Sequence, residues 1–68
     1  MTVRQIDVLV LLMRGMPNKT IGRTLDLGEP TVKTHISAIF RVLNVSNRAE
    51  AVVAVNKMKL DLPPAPDA

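Results

Sequence analysis

A row of short polar and cationic side chains runs along one side of the segment LGEPTVKTHISAIFRVL, residues 27–43. Its members near the start of the segment are Thr31, Lys33, Thr34 and Ser37. None of these side chains is acidic, whereas a helix face that only meets water more often mixes both charges, as Glu–Lys pairs four residues apart. The row is therefore typical of a surface that contacts a partner.

The rest of the chain offers no residues for catalysis or metal binding. Its 68 residues include no cysteine, so neither a disulfide nor a thiolate zinc site can form. The single histidine, His35, has no cysteine, second histidine or carboxylate placed to share a metal ion or a proton with it. Because a nucleophile–base pair and a phosphate-binding loop are missing as well, the sequence argues against an enzyme, and no cofactor is expected.

The polar row needs a helix to position it, and the apolar residues of the same segment predict one. They recur at spacings of three and four, at Val32, Ile36, Ile39, Phe40 and Leu43. Pro30 suits the first turn of a helix, where its missing N–H is no loss, and Asn44 can end the helix in the left-handed conformation. The predicted helix extends from about Glu29 to Leu43.

Two helices are predicted before this one. Thr2 and Gln5 have the spacing of a capping box, and Gly15 ends the first helix because glycine adopts the left-handed conformation at little cost. Asn18 is a good N-cap for a short second helix, Lys19 to Leu25. Residues 26–28 then connect this helix to the one that carries the polar row.

A fourth helix is predicted from Arg48 to about Lys59, with Ser46 or Asn47 as its N-cap. Three prolines in the last seven residues predict an extended, poorly ordered tail. We therefore expect an all-α four-helix bundle, with a helix-turn-helix domain at residues 1–60 and a flexible proline-rich tail at residues 61–68. No apolar run approaches the ~18 residues of a membrane span, and a signal peptide is missing, so a cytoplasmic protein with no membrane partner is expected.

A short helix, a turn of about three residues and a second helix form a helix-turn-helix arrangement. Ile21 and Leu25 are expected to face the core, and Leu27 to fill the angle between the two helices. Gly22 should be small because the second helix crosses there. The residue types in this segment therefore fit the packing that the arrangement requires.

The same packing directs the polar row outward. Once Val32 and Ile36 point inward, the opposite line is formed by Lys33, Thr34 and Ser37, and Pro30 and Arg41 extend it by one turn at each end. A DNA major groove is about 12 Å wide and admits one helix, so this line would meet the base edges.

Charge supports a polyanionic partner. Between Arg14 and Arg48 two residues are acidic, Asp26 and Glu29, and six are basic: Arg14, Lys19, Arg23, Lys33, Arg41 and Arg48. A basic centre flanked by more neutral ends suits nucleic acid, although many small domains are mildly basic.

The motifs NKTIGRTL (residues 18–25) and TVKTH (residues 31–35), at this separation, resemble the LuxR/NarL-type DNA-binding domain of bacterial response regulators and quorum-sensing regulators. The resemblance covers about residues 1–55. The chain departs from the usual pattern at Gln5, where glutamate is usual, at Gly28, where a serine usually caps the recognition helix, and at Asn44, where glycine is usual. Ser37 replaces a basic residue that some relatives carry.

The resemblance implies a role for each polar position. Base edges in the major groove would be read by Lys33, Thr34 and Ser37. Phosphates would lie near Asn18, Lys19, Thr31 and His35, and we add Arg41 and Arg48 to the phosphate contacts. Four of the phosphate candidates have a simpler alternative: Thr31 could bond only to nearby backbone, His35 could be a half-buried structural residue, and the two arginines could be ordinary surface charges.

The fourth helix has two lines of interest. Ala51, Val52 and Val55 form a face that would dock on the core, and Met58 continues it. A second line, at Ala49, Val53 and Asn56, has no obvious need within the domain and would form the contact between two subunits, in keeping with the dimer contact that the resemblance implies for the last helix.

The first helix is apolar nearly all round, at Val10, Leu11 and Met13 as well as on its inner face. Either the core is deeper than usual, or an exposed patch packs on another domain.

We therefore predict a sequence-specific transcription regulator that binds double-stranded DNA as a homodimer on a two-fold site. The sequence begins directly at the capping box, which suggests an effector domain normally joined to an N-terminal receiver or ligand-sensing domain, and RNA polymerase is a further candidate partner. The rival interpretation is a helical protein-interaction module that uses the apolar first and fourth helices. The dependence of binding on salt concentration distinguishes the two interpretations, because DNA binding weakens steeply with ionic strength and an apolar protein interface hardly responds.

Overall fold

The computed structural model describes residues 1–66, which form four helices and no strand. These are α1 (Val3–Met13), α2 (Asn18–Leu25), α3 (Glu29–Leu43) and α4 (Arg48–Met58). The expected all-α architecture is confirmed, and α2, α3 and the turn between them form the expected helix-turn-helix.

The start and the end of α1 follow the sequence expectations. The Thr2 hydroxyl accepts a hydrogen bond from the Gln5 N–H (3.1 Å), and the Gln5 side-chain oxygen accepts one from the Thr2 N–H (3.0 Å), which completes a capping box. Gly15, just after the helix, has a φ of +81°. Glutamine thus serves at the position where related domains usually have glutamate.

The start of α2 differs from the expectation. Its N-cap is Pro17, with no side-chain cap, and Asn18 is already the first helical residue. The prediction of Asn18 as the N-cap is therefore wrong. Its side-chain oxygen accepts instead from the guanidinium of Arg48, a contact made across the fold.

Helices α3 and α4 begin and end close to the predicted residues. Gly28 is the N-cap of α3 and makes no side-chain bond, and Asn44 ends that helix in the left-handed region with a φ of 57°. Of the two candidate caps for α4, the structure uses Asn47, whose side-chain oxygen accepts from the Glu50 N–H (2.9 Å). Glu50 in return accepts from the Ser46 N–H (2.7 Å).

One aliphatic core joins all four helices. Its buried members are Val8, Leu9, Leu11, Leu12, Ile21, Leu25, Val32, Ile36, Ile39, Leu43, Ala51 and Val55. Five consecutive residues of α1, from 8 to 12, are buried, so the alternative of a deeper core is confirmed for the apolar first helix. A helix that is apolar nearly all round is favoured where neighbouring elements cover it on nearly every side.

Helix α4 is attached to this core by few side chains. Ala51 and Val55 are buried, Val52 is half-buried, and Met58 is 54% exposed, so the expectation that Met58 continues the docking face is wrong. Beyond α4, Leu62 and Ala65 pack against the core. The predicted tail therefore contacts the domain at two points, while its last residues, 67–68, lie outside the described part of the chain.

Within residues 1–66, no helix combines the length and the apolar character that crossing a membrane requires.

Candidate nucleic-acid interface

The angle between α2 and α3 is set by a tight turn that begins inside α2. The N–H groups of Asp26 and Leu27 both donate to the carbonyl of Gly22, the second over 2.7 Å, and Asp26 adopts the left-handed conformation with a φ of 57°. A Cβ atom on Gly22 would lie 2.6 Å from the Leu27 carbonyl oxygen and 3.4 Å from Val32 Cγ2. Glycine was expected here because α3 crosses at this point, but the closest neighbour is the backbone of the turn itself.

The turn brings the polar row of α3 to the surface. Val32 is fully buried and Ile36 is 7% exposed, while Lys33, Thr34 and Ser37 on the other side of the helix are all exposed. The Thr34 hydroxyl donates to the Pro30 carbonyl (3.0 Å), so its oxygen lone pairs and its methyl group remain for an outside partner. Lys33 is the one long cationic side chain among the three.

The N-terminal ends of α2 and α3 lie beside each other. Asn18, Glu29, Pro30 and Lys33 line one open cleft between them. Lys19 and Thr31, which follow in the two helices, are exposed. The structure therefore brings the start of α2, where phosphate contacts were expected, next to the first of the expected base-reading residues.

Glu29 is the residue of this cleft that sequence reasoning left out. Its carboxylate stands in the first turn of α3, where the helix dipole favours a negative charge, and four residues before Lys33. That spacing was visible in the sequence and is the signal that could have revealed it. An acidic side chain at this place can moderate the attraction of the face for any phosphate, and carboxylates also accept hydrogen bonds from cytosine.

The remaining phosphate candidates differ in their access to solvent. Arg41 is exposed and His35 is half-buried, between exposed Thr34 and buried Ile36. Arg48 is half-buried, and its guanidinium donates to the Met16 carbonyl (3.0 Å) and to the side-chain oxygen of Asn18. Arg48 is thus joined to Asn18 rather than extended into solvent.

The predicted subunit contact lies on the outer side of α4. Ala49, Val53 and Asn56 are exposed, and the Val53 side chain is 59% accessible. Val53 and Ala49 also line an open groove between α4 and the C-terminal end of α3, together with Leu43 and Val45. The exposed Val53 is thus part of the lining of this groove.

The cations of the interface form no ion pair among the described residues. Among residues 1–66, the ion pair is Arg4–Asp7 (3.5 Å) in α1, and Lys19, Lys33 and Arg41 form none. The described part of the chain also contains no cluster of three or more histidine, cysteine, aspartate or glutamate side chains that could hold a metal ion. The exposed cations are therefore available to an anion outside the domain.

The family model described as "Bacterial regulatory proteins, luxR family" matches residues 1–55 of the chain. The nitrate/nitrite response regulator protein NarL of Escherichia coli is 38% identical over 60 residues, which are 88% of this chain and 28% of NarL. The glycerol metabolism activator of Pseudomonas putida is 46% identical over 54 residues, 79% of this chain and 24% of that protein. The chain thus spans about a quarter of the length of these relatives.

Two solved structures are similar to the fold. The response regulator ChrA of a heme-sensing two-component system matches with a TM-score of 0.81 and 35% identity, over 88% of this chain and 30% of ChrA. The transcription factor GerE matches with a TM-score of 0.75 and 32% identity, over 87% of this chain and 88% of GerE. The similarity to GerE extends over nearly the whole of that chain.

Proposed function

This chain belongs to the luxR family of bacterial regulatory proteins and is a helix-turn-helix DNA-binding domain of a transcription regulator, not an enzyme; from this premise we propose that it binds a two-fold DNA site as a homodimer, with α3 in the major groove. Each subunit would occupy one half-site. Sequence would be read by α3, and the start of α2 would hold the phosphate backbone.

The observation that carries this proposal is the exposed row on α3. Lys33, Thr34 and Ser37 lie opposite the buried Val32 and Ile36, so one side of the helix is held by the core while the other is open along its length. A lysine ammonium can donate to guanine O6 and N7, and hydroxyls can bond to several base edges. The row therefore has the chemistry of direct base reading.

Residues around the row would position the helix without reading sequence. The exposed Lys19 and Thr31 follow the cleft residues Asn18 and Pro30 in the chain, and His35 and Arg41 lie further along α3. Contacts of this kind to phosphate oxygens fix the register of a protein on DNA and supply most of its salt dependence.

Pairing of two subunits would use the outer line of α4. Ala49, Val53 and Asn56 make a small surface that can meet its own copy across a two-fold axis. This surface is far below the ~1,200 Å² of a stable interface, so we propose that the domain is mostly monomeric in solution and pairs on DNA. The half-sites would then lie about one helical turn apart.

We further propose that the chain acts as the effector domain of a cytoplasmic regulator. NarL and ChrA are response regulators by their names, and both are much longer than the part that this chain matches. A receiver or ligand-sensing domain is the partner that this role requires, and RNA polymerase is the target through which a regulator bound to DNA could act.

A selection of bound duplexes from a random pool tests the proposal. We expect a two-fold motif to be enriched, and affinity for that motif to fall steeply as salt rises, because bound lysines and arginines release counterions from the DNA. The rival, a protein-interaction module, predicts no enrichment and little salt dependence. Burial of residues 8–12 of α1 leaves this rival less apolar surface on the first helix.

A further inference from the structure

We infer that Arg48 is a positioning residue, which holds the Asn18 side chain so that its amide N–H groups, rather than its oxygen, are available to a DNA phosphate. The inference rests on the proposed function, since it requires the start of α2 to lie at the phosphate backbone. It assigns to Arg48 an action through Asn18 in place of a direct phosphate contact.

The contact is the one polar side-chain link across the fold within residues 1–66. Arg48, the first residue of α4, donates through Nη1 to the Met16 carbonyl (3.0 Å) and through Nη2 to Asn18 Oδ1. The other side-chain hydrogen bonds of the described residues join positions three or four apart. The guanidinium therefore connects the start of α4 to both the α1–α2 turn and the first residue of α2.

The chemistry of the two groups decides which way the amide faces. A guanidinium has only donors, so the atom of Asn18 that meets it must be the carbonyl oxygen. The amide nitrogen, with its two donors, is then left for another partner. A phosphate accepts hydrogen bonds and donates none, so an asparagine that is free to rotate would repel it in one of its two orientations.

Two further observations fit this assignment. Within residues 1–66 the amide nitrogen of Asn18 donates no hydrogen bond, so its two donors are not used within the domain. Asn18 also lines the cleft that contains Lys33, the long cation of the base-reading row. A donor fixed at this place would lie beside the residue that enters the groove.

A double-mutant cycle on a random-sequence duplex tests the inference, because binding to such DNA reports mainly phosphate contacts. We expect Asn18→Ala to weaken binding by about tenfold, the loss for one hydrogen bond to a charged group. Arg48→Gln should weaken it by a similar factor in the wild-type chain and by little in the Asn18→Ala chain. The slope of affinity against salt should remain unchanged, since the proposed contact is made by a neutral amide.

A direct phosphate contact would give a different pattern. Arg48→Gln would then weaken binding equally in both backgrounds and lower the salt slope by about 0.9, the value for one lost phosphate contact. Either result would overturn the assignment. Melting temperatures of all four proteins separate these effects from loss of folding, and a wild-type chain that fails to bind any duplex would overturn the proposed function together with this inference.

Asn18→Asp provides a second variant, which does not depend on the stability of the Arg48 variant. An aspartate accepts from Arg48 at least as well and stands in the first turn of α2, so the melting temperature should stay the same or rise. Because it has no donor for phosphate, DNA affinity should fall below that of Asn18→Ala. Wild-type affinity in Asn18→Asp would show that no donor at this position faces the DNA.

Discussion

Lys33 differs from its neighbours on the exposed side of α3 in carrying a long donor. The Thr34 hydroxyl already donates to the Pro30 carbonyl, and Ser37 has a short side chain. Glu29, one helical turn before Lys33, shares its cleft and limits the positive charge there. Reading by this face should therefore depend on Lys33 more than on any other residue of the row.

We expect Lys33→Ala to lower affinity for the selected DNA site by about ten- to hundredfold, since one contact to guanine contributes roughly 1–3 kcal/mol of discrimination. The loss should be concentrated at one base position. Helix content and melting temperature should hardly change because the side chain is exposed. Titration of DNA duplexes substituted at each position in turn gives the measurement.

Lys19→Ala is the matched control, since it also removes one exposed lysine. It should weaken selected and random DNA by similar factors and reduce the salt slope by about one unit. If Lys33→Ala keeps the wild-type preference at every base, Lys33 does not read sequence. If Lys19→Ala weakens only the selected site, the division between reading and positioning fails.

At the scale of single residues, the periodicity of α3 predicted which of its side chains face outward. It did not predict the contacts that polar side chains make across the fold. Because Val32 and Ile36, four residues apart, are buried, the other side of α3 is exposed, with Lys33, Thr34 and Ser37 on it. The link between Arg48 and Asn18 joins positions 30 residues apart, and no local pattern encodes such a contact. The sequence therefore indicated the polar surface, whereas the contact between Arg48 and Asn18 could be found only from the folded structure.

The helix-turn-helix, as an element, depends on the close approach at Gly22. Alanine in a helix is normally favoured over glycine by about 1 kcal/mol. Here its Cβ atom would lie 2.6 Å from the Leu27 carbonyl oxygen, which belongs to the backbone and cannot rotate away. The turn would have to move, and α3 would move with it.

We therefore expect Gly22→Ala to lower the free energy of unfolding by about 1–3 kcal/mol, the usual cost of overpacking, as measured by urea denaturation. Arg23→Ala, at the next and exposed position of α2, should stay within about 0.5 kcal/mol of wild type. DNA affinity of Gly22→Ala should also fall at temperatures where it is still folded. A variant as stable as wild type would mean that the turn adapts without strain.

Helix boundaries were predictable wherever the capping residue is local. The capping box at Thr2 and the left-handed Asn44 both lie within a few residues of the ends that they stabilise. The start of α2 was misjudged because its asparagine is held by α4 instead. Met58 was misjudged because its spacing matches the buried face, while α4 has already left the core at that point.

For the whole molecule, the proposed homodimer places the outer line of α4 at the contact between subunits. We expect Val53→Glu to abolish cooperative binding to a full site while leaving half-site affinity within about twofold, because a carboxylate on each side of the two-fold axis would repel its copy. The change is at an exposed position, so the monomer should remain folded. Titrations on full-site and half-site duplexes measure both quantities.

Val42→Glu is the matched control. This valine is 61% exposed, against 59% for Val53, and lines a separate groove with Met58 and Leu60. The same substitution there should preserve cooperativity. If the two results are reversed, the contact between subunits lies at that second groove, and the outer line of α4 has no part in pairing.

The small number of buried side chains that attach α4 to the core should affect how the domain behaves on warming. Two buried side chains, Ala51 and Val55, and the bonds of Arg48 at its first turn hold this helix, whereas α1 buries five consecutive residues. Segments with few buried contacts open at a lower free energy than the rest of a domain, so the amide protons at the C-terminal end of α4 should exchange with solvent sooner than those of α1. Pairing through α4 would then require this helix to be ordered, and the loss of its conformational entropy would oppose pairing. On warming, a full DNA site should lose its cooperativity before either half-site loses its subunit.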